Sequence, residues 1–232
     1  MSRLGVVTGM TAEAHCLSPA GAAGGDIGAI AIICSSGDPA QAEDGARRLV
    51  RDGVEALLSF GIAGGLDSRC GAGDLVIGKT VVDAAGIEHE TDIEWRNCLS
   101  TLLAGLGPEI GTVAGCDRPT ATVTEKRAVH EHCGAIAVDM ESHVVARVAA
   151  DTGRPFAVVR VIADGAHDSL PHAALAGLGG TDGSPRIGAV LGALLLRPWE
   201  LPGLIRVALE TRQALGVLRR CAVDGAPLFG RG

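Results

Sequence analysis

Four short segments of this sequence place carboxylates or glycines directly after predicted strands. Carboxyl groups can move protons or accept hydrogen bonds, and glycine lets the backbone approach a ligand closely. One such carboxylate is more often a helix N-cap. In α/β proteins, however, ligands bind outside the carboxyl ends of the strands, so the four segments together predict a ligand site. They are residues 9–13, 60–66, 137–142 and 158–164, with carboxylates at Glu13, Asp139, Glu141 and Asp164.

The elements that must position these segments alternate between strands and helices. Apolar runs ended by Gly, Ser or Thr predict strands, and helically spaced apolar residues among charges predict helices. The alternation predicts an α/β fold, a three-layer α/β/α sandwich with a mixed, largely parallel central sheet. One domain is expected over residues 1–232, with a helical segment at about 186–222. Strands are predicted at 4–7, 27–34, 54–60 (ending in a glycine-rich turn at 61–65), 75–77, 80–82, 135–138 and 156–163, and helices at 39–52, 93–106, 124–133, 141–151, 187–196 and 200–221.

Composition excludes several classes of protein. The 232 residues carry 20 Lys+Arg and 27 Asp+Glu, a net charge of −7, which argues against nucleic acid or an anionic membrane as an electrostatic partner. At 47% hydrophobic residues the chain can bury a core and is not intrinsically disordered. The apolar run 187–196 is shorter than the roughly 20 residues that span a bilayer, and the N-terminus lacks a signal-peptide pattern. We therefore expect a cytoplasmic protein without a transmembrane segment.

Three further patterns predict no site. Residues 73–80 fit the P-loop pattern G-x-x-x-x-G-K-[ST], but they belong to predicted strands and no helix follows. His130, His132 and Cys133 do not share a helix face or supply four ligands, so no metal site is predicted. The seven cysteines contain no CxxC pair and do not predict a disulfide scaffold.

The four segments resemble the nucleoside phosphorylase and 5′-methylthioadenosine/S-adenosylhomocysteine nucleosidase superfamily. The resemblance runs from residue 4 to about residue 168, in order and with similar spacing. Within that superfamily the chain is similar to the hopanoid-biosynthesis-associated branch, through Asp168-Ser169-Leu170-Pro171 and the Leu/Arg-rich tail to about Arg220. That branch implies release of adenine from adenosylhopane, which leaves ribosylhopane or its phosphorylated form.

The resemblance assigns roles to the carboxylates and to Met140. Asp164 matches the general acid that protonates the purine N7, and it must keep its proton near neutral pH. Glu141 matches the acceptor of hydrogen bonds from the ribose hydroxyls. Met140 matches the residue that packs against the sugar. Glu13 matches the acid that positions the attacking water in hydrolytic members.

Other residues of the segments complete the expected substrate site. Ala63 and Gly64 let the backbone approach the ligand closely, and Ile62 and Asp139 are included in the expected set. Arg160 lies inside a strand predicted to be buried and therefore needs a carboxylate partner, for which we expect Glu13 or Glu141.

The sequence departs from the hydrolytic relatives at the base. Ile62 and Ala163 stand where those relatives carry Ser, so two hydrogen-bonding groups are lost. The aromatic residue that clamps the base in those relatives falls near Arg118-Pro119-Thr120. Arg118 could stack on a purine through its planar guanidinium, whereas Pro119 has no N–H to offer. Ribosyl cleavage is thus better supported than purine identity.

The sequence leaves the attacking group open. Phosphorolytic relatives bind phosphate with an arginine in the first loop, and residues 9–15 contain no Arg or Lys, which favours water. Arg47, Arg48, Arg69 or Arg118 could supply the cation instead, so inorganic phosphate remains a possible co-substrate. No other cofactor is expected.

Other functions and contacts also stay open. Nucleosidases for 5′-methylthioadenosine, S-adenosylhomocysteine or futalosine are the alternative activities, and a non-catalytic nucleoside-binding regulator is the alternative class. Relatives complete the 5′ pocket from a second subunit, so a homodimer or larger assembly is expected. The apolar helices at 187–196 and 200–221 either cover the sheet, or guide a lipid-like 5′ group and contact a membrane.

Overall fold

The strands of this protein join into one hydrogen-bonded sheet. The computed structural model describes residues 3–17, 25–27, 30–177, 180, 183–184 and 186–224. Among these residues five of the nine strand pairings are parallel, so the sheet is mixed, as predicted. The strands are β1 (Leu4–Thr8), β2 (Gly25–Ile27), β3 (Ile30–Cys34), β4 (Ala56–Gly65), β5 (Leu75–Val82), β6 (Glu88–Glu90), β7 (Glu109–Gly115), β8 (Ala137–Asp139) and β9 (Phe156–Asp164).

The strand order brings distant parts of the chain together. The order is β2-β3-β1-β4-β8-β7-β5-β6, and β9 pairs with both β4 and β5. The pairings β4–β9–β5–β7–β8–β4 therefore close a circuit. Gly64 of β4 is the meeting point, because it pairs with Val138 of β8 and with Asp164 of β9.

Helices cover both faces of the sheet. Successive strand residues point to opposite faces, so Leu58 and Val159 pack with one set of helices, and Leu57 and Val158 with the other. The first core contains residues of α1, α3 and α8, and the second contains residues of α2 and α5. The predicted three-layer α/β architecture is thereby confirmed. The helices are α1 (Thr11–Leu17), α2 (Pro39–Arg51), α3 (Ile93–Leu102), α4 (Val123–Cys133), α5 (Ser142–Thr152), α6 (His172–Ala176), α7 (Ile187–Leu196) and α8 (Leu201–Asp224).

The glycine-rich segment at 61–65 is strand, not turn. The prediction that the strand ends at residue 60 is wrong, because β4 continues to Gly65. The glycines of this segment let neighbouring groups approach the strand closely. A Cβ at Gly61 would lie 2.6 Å from Glu13 Oε1, and one at Gly65 would lie 3.1 Å from the Cys70 carbonyl oxygen. Glycine inside a strand commonly marks such a site of close contact.

The P-loop-like residues 73–80 run into a strand, as expected, and the next element is the short strand β6. The two strands predicted at 75–77 and 80–82 are one strand, β5, with an irregular register between Gly78 and Thr80. A Cβ at Gly78 would lie 2.9 Å from Val158 Cβ, so packing against β9 explains this glycine.

Other differences concern short or polar elements. The strand predicted at 27–34 is two antiparallel strands, β2 and β3, with residues 28 and 29 outside the described part. Strands β6 and β7 have no predicted counterpart, and the helix predicted at 93–106 ends at Leu102, before a 3-10 turn at Ala104–Leu106.

Among the described residues, no single helix has the length and apolar composition of a membrane span. The segments Ile187–Leu196 and Pro198–Asp224 pass that test only as a pair, and a bend of 115° separates them.

Candidate active site

A cleft opens at the carboxyl ends of β1, β8 and β9 and beside the end of β4. Nine of the ten residues predicted for the site line it, which brings together all four segments of the sequence. The tenth, Arg160, lies buried close to the carboxylates. The lining residues are Gly9, Met10, Glu13, Gly37, Ile62, Ala63, Gly64, Arg118, Pro119, Thr120, Val138, Asp139, Met140, Glu141, Ala163, Asp164 and Leu170.

Glu13 ties the first loop to β4. Its Oε2 accepts hydrogen bonds from the backbone N–H groups of Gly9 (2.7 Å) and Met10 (2.8 Å), and its Oε1 accepts one from Ile62 (2.8 Å). A carboxylate has about four acceptor positions, so one position remains for a ligand or a water. Burial raises the pKa of Glu13, against the attraction of Arg160 and the three backbone hydrogen bonds.

The main partner of Arg160 is Asp139, which the sequence did not predict, whereas the predicted partner Glu141 forms a longer ion pair and Glu13 forms none. Arg160 Nε donates to Asp139 Oδ2 at 2.5 Å, and Nη2 donates to Ser59 Oγ at 2.6 Å. Glu141 is a more distant partner, with its Oε2 3.9 Å from Nη2. Glu13 influences Arg160 through its charge but makes no ion pair with it.

Asp139 is a structural residue as well as a lining one. Its Oδ1 accepts hydrogen bonds from the backbone N–H groups of Glu141 and Ser142 and from Ser142 Oγ. Burial disfavours its ionisation, but Arg160 and the Ser142 hydrogen bonds prevail and lower its pKa. Asp139 therefore fixes the turn that presents Glu141 to the cleft.

The pKa of Glu141 is raised well above its usual value. Burial and the charge of nearby Asp139 raise its pKa to about 8, although Arg160 opposes the shift. Its Oε1 would lie 2.7 Å from a Cβ at Gly9, so only glycine leaves room for the carboxylate there. Glu13, Asp139 and Glu141 thus lie near the buried Arg160, and a pKa of about 8 leaves Glu141 protonated at neutral pH.

Asp164 at the end of β9 has an ionic partner. Lys126 Nζ of α4 donates to Asp164 Oδ2 and, at 2.6 Å, to the carbonyl oxygen of Gly165. The Lys126 side chain is fully buried. Burial raises the pKa of Asp164, while Lys126 acts in the opposite direction.

Lys126 is the functional residue that the sequence analysis missed. It follows the capping box of α4, in which the side chains of Thr122 and Glu125 accept hydrogen bonds from each other's backbone N–H groups. Its neighbours Glu125 and Arg127 are charged. Such a run usually marks a solvated helix face. No local pattern distinguishes Lys126, because its partner Asp164 lies 38 residues away.

The rim of the cleft carries Arg118, which is exposed. No aromatic side chain belongs to the lining of the cleft as far as the structure is described. Arg47 pairs with Glu43 and Asp151, and Arg69 pairs with Asp67, so both lie in surface ion pairs away from the lining. Arg118 thus remains as the lining arginine of the four considered for phosphate.

The chain matches the model of one protein family over most of its length. Residues 24–195 match the Phosphorylase superfamily. The chain belongs to that superfamily. This finding supports an enzyme that acts on nucleosides. No curated protein matches this phosphorylase-superfamily chain in sequence.

Solved structures share the fold of this superfamily member. The futalosine hydrolase of Helicobacter pylori strain 26695 matches with a TM-score of 0.68 and 16% identity, over 96% of this chain and 97% of that one. The 5′-methylthioadenosine/S-adenosylhomocysteine nucleosidase of Neisseria meningitidis, solved with methylthio-immucillin-A, matches with a TM-score of 0.72 and 15% identity, over 97% and 98%. The H. pylori nucleosidase of the same name matches with a TM-score of 0.68 and 16% identity, over 97% and 99%.

Proposed function

We propose that this chain cleaves the N-glycosidic bond of a 5′-modified adenosine and releases adenine. The observation that carries the proposal is Asp164, a buried carboxyl group that lines the cleft at the end of β9 with its pKa raised. A group of this kind can hold a proton near neutral pH and give it to a base. Membership of the Phosphorylase superfamily supports the reaction class.

The reaction needs an acid at the base and a nucleophile at the sugar. Asp164 gives its proton to N7 of the purine, and the electron pair of the C1′–N9 bond leaves with the base. Water attacks C1′, and its proton passes to Glu13, whose free acceptor position suits a water. The products are adenine and the 5′-modified ribose, and the two carboxyl groups regain their starting protonation through solvent.

Lys126 lowers the pKa of Asp164 and so opposes the effect of burial. Burial favours the protonated carboxyl, whereas the ammonium of Lys126 favours the carboxylate that remains after proton transfer. The most effective general acid has a pKa near the working pH. Burial thus favours the protonated form of Asp164 before the reaction, and Lys126 stabilises the carboxylate that remains afterwards.

Glu141 and Met140 hold the ribose in this proposal. Glu141 is buried beside Arg160, and its carboxyl group can accept hydrogen bonds from the sugar hydroxyls. Met140 lines the same part of the cleft. Arg118 at the rim stacks on the base in place of an aromatic side chain.

The 5′ substituent we propose is a hopane, so the substrate is adenosylhopane. The support is the resemblance of residues 168–220 to the hopanoid-associated branch and the position of the C-terminal helices. Leu170 lines the cleft, and the next residue, Pro171, would lie 3.0 Å from a Cβ at Gly203 of α8. A bulky apolar group leaving the cleft would therefore meet the α7–α8 region. The structural relatives act, by their names, on 5′-methylthioadenosine, S-adenosylhomocysteine or futalosine, and those substrates are the alternatives.

Water is the proposed nucleophile, and inorganic phosphate is the alternative co-substrate. The first loop lacks a cation, and Arg118 is the lining arginine. Phosphorolysis would give the 1-phosphate and would need Arg118 or an arginine from a second subunit. We propose a homodimer or larger assembly and no other cofactor.

Release of adenine is the direct test. The protein is incubated with adenosylhopane, 5′-methylthioadenosine, S-adenosylhomocysteine and futalosine, with and without phosphate, and the free base and the sugar product are measured by mass spectrometry. We expect adenine and ribosylhopane from adenosylhopane without phosphate. Binding of nucleosides without any cleavage would favour the non-catalytic regulator instead.

A matched pair of variants tests the acid. Asp164→Asn should lower kcat by about 10²–10⁴-fold, the usual contribution of a general acid. Asp151→Asn, on the half-exposed partner of Arg47, should leave it unchanged. Near-normal turnover by Asp164→Asn would refute the assignment.

A further inference from the structure

We infer that the α7–α8 corner docks on the surface of a lipid bilayer that contains anionic lipid. This inference does not rest on the proposed function. It concerns the surface formed by α7, the 3-10 turn Pro198–Glu200 and the first part of α8, which we call the apolar corner.

The apolar corner is unusual because its large side chains face solvent. Helix α7 contains ten apolar or glycine residues and buries none of them. Leu195, Leu196 and Trp199 at the bend are 85%, 79% and 71% exposed. Exposed apolar patches of this extent generally mark an interaction surface.

The exposed residues form stripes rather than a random scatter. On each helix they recur every fourth residue, which places them on one face. The two stripes flank the bend, where the helices change direction by 115°. They are Ile187, Leu191 and Leu195 on α7, and Leu201, Ile205 and Leu209 on α8.

The charge around the corner suits an anionic surface. Residues 186–212 carry four arginines and two glutamates, a local charge of +2 in a chain of net charge −7. Arg197 pairs with Glu200, and Arg206 pairs with Asp168 and Glu210. Arg186 and Arg212 have no ion-pair partner among the described residues, so they supply the charge for an anionic surface. Arg186 and Arg197 bracket α7, which has no charged residue of its own. Arginine beside exposed Leu and Trp is the pattern of interfacial membrane helices.

The shape favours a bilayer over a second copy of the chain. A two-fold dimer contact must be complementary to itself. The apolar corner instead projects Leu196 and Trp199 at a sharp bend. A projecting corner can insert into the headgroup region without any complementary protein surface.

Vesicle flotation tests the inference. The full chain is mixed with vesicles of phosphatidylcholine, with or without phosphatidylglycerol, and the floating fraction is measured at several salt concentrations. We expect binding to both, about 25-fold stronger with phosphatidylglycerol and weakened by salt, because each of the two arginines outside ion pairs contributes about fivefold near an anionic surface. Absence of flotation with either vesicle would overturn the inference.

Matched variants locate the contact. Leu195→Glu and Trp199→Glu should each reduce vesicle binding at least tenfold. Ile93→Glu, at a 61% exposed apolar residue of α3, is the control and should bind normally. If all three variants lost vesicle binding equally, the contact would not be specific to the apolar corner. A second outcome would also contradict the inference. If the parent chain did not bind vesicles and Leu195→Glu converted a dimer to a monomer in sedimentation, a second copy of the chain would be the partner of the apolar corner.

Fluorescence gives an independent measurement. The chain has two tryptophans, and Trp95 is buried. In Trp95→Phe the remaining fluorophore is Trp199, whose emission should shift to the blue with vesicles and be quenched by brominated lipid. An unchanged emission from a folded Trp95→Phe protein would also overturn the inference. None of these binding measurements depends on adenine release. They therefore test the inference even if the proposed function is wrong.

Discussion

Lys126 Nζ donates to both the carboxylate of Asp164 and the carbonyl oxygen of Gly165 at the end of β9. The pair joins the first turn of α4 to the last residue of β9, and the lysine side chain is fully buried. Breaking a buried ion pair by removing one partner is strongly destabilising. Lys126 therefore affects both the fold near the cleft and the acidity of Asp164.

Lys126→Met should shift the pH profile of catalysis to higher pH. Burial raises the pKa of Asp164 and Lys126 opposes the rise, while Asp168 raises it further and Arg206 lowers it. Removal of the cation should raise the pKa again, so the alkaline limb of kcat/KM should move up by about one unit or more. A lower maximal rate should accompany the shift, since the acid becomes weaker.

The control for Lys126 is Lys79→Met, at an exposed lysine of β5. That variant should keep the parent profile. Circular dichroism and thermal unfolding establish that Lys126→Met is folded where its rates are measured. A folded Lys126→Met with an unshifted alkaline limb would show that Lys126 does not tune Asp164.

Glu141 should make stability depend on pH between about 5 and 8. Its pKa is about 8 in the folded protein, raised first by burial and then by Asp139, against about 4.3 for an unperturbed Glu. A raised carboxyl pKa gives stability that is complete below the unfolded pKa and is lost as the pH rises through the folded pKa. The stability of Glu141→Gln should therefore fall less than that of the parent as the pH rises from 5 to 8.

The size of that effect follows from the linkage. Each unit of pKa shift is worth about 1.4 kcal/mol, or about 3–6 °C in Tm for a chain of this size. The Tm of the parent should fall relative to that of Glu141→Gln by at least this amount from pH 5 to pH 8. Glu55→Gln, at an exposed position, should follow the parent. Parallel curves for the parent and Glu141→Gln would contradict the shift.

Arg160→Met should destabilise the protein by about 3–5 kcal/mol, because it leaves Asp139 as an unpaired buried charge. Arg160 holds Asp139 and Ser59 at the same time. Urea unfolding measures the loss. The double variant Arg160→Met/Asp139→Asn should recover part of it, and additive losses would argue against a direct pair.

Gly9→Ala should impair substrate binding with little effect on folding. The new Cβ would lie 2.7 Å from Glu141 Oε1 and would displace that carboxyl group. Loss of a hydrogen bond to a neutral group costs about 0.5–1.5 kcal/mol, so kcat/KM should fall about 2–10-fold. Gly105→Ala, where a Cβ meets nothing within 4 Å, is the control. An unaltered kcat/KM for Gly9→Ala would indicate that Glu141 does not hold the ribose.

The sequence by itself determined the fold class and most of the candidate site. Hydrophobic patterning within short windows predicts strands and helices, and the four segments after predicted strands supply twelve of the residues that line the cleft. This works because the chemistry of an α/β protein sits where strands end, and strand ends are visible locally. Strands β6 and β7 were not predicted because β6 consists of polar residues and the apolar residues of β7 are interrupted by glycine and threonine.

Tertiary structure decided which charged groups are partners. The Asp139–Arg160 and Lys126–Asp164 pairs join residues 21 and 38 positions apart, and nothing in the neighbouring sequence records such pairings. The same holds for β4, whose glycines predicted a turn, yet long-range pairing with β8 and β9 extends the strand to Gly65. Local patterns report which side chains are apolar. Burial, and with it the protonation of Glu141 and Asp164, depends on what the folded chain packs around them.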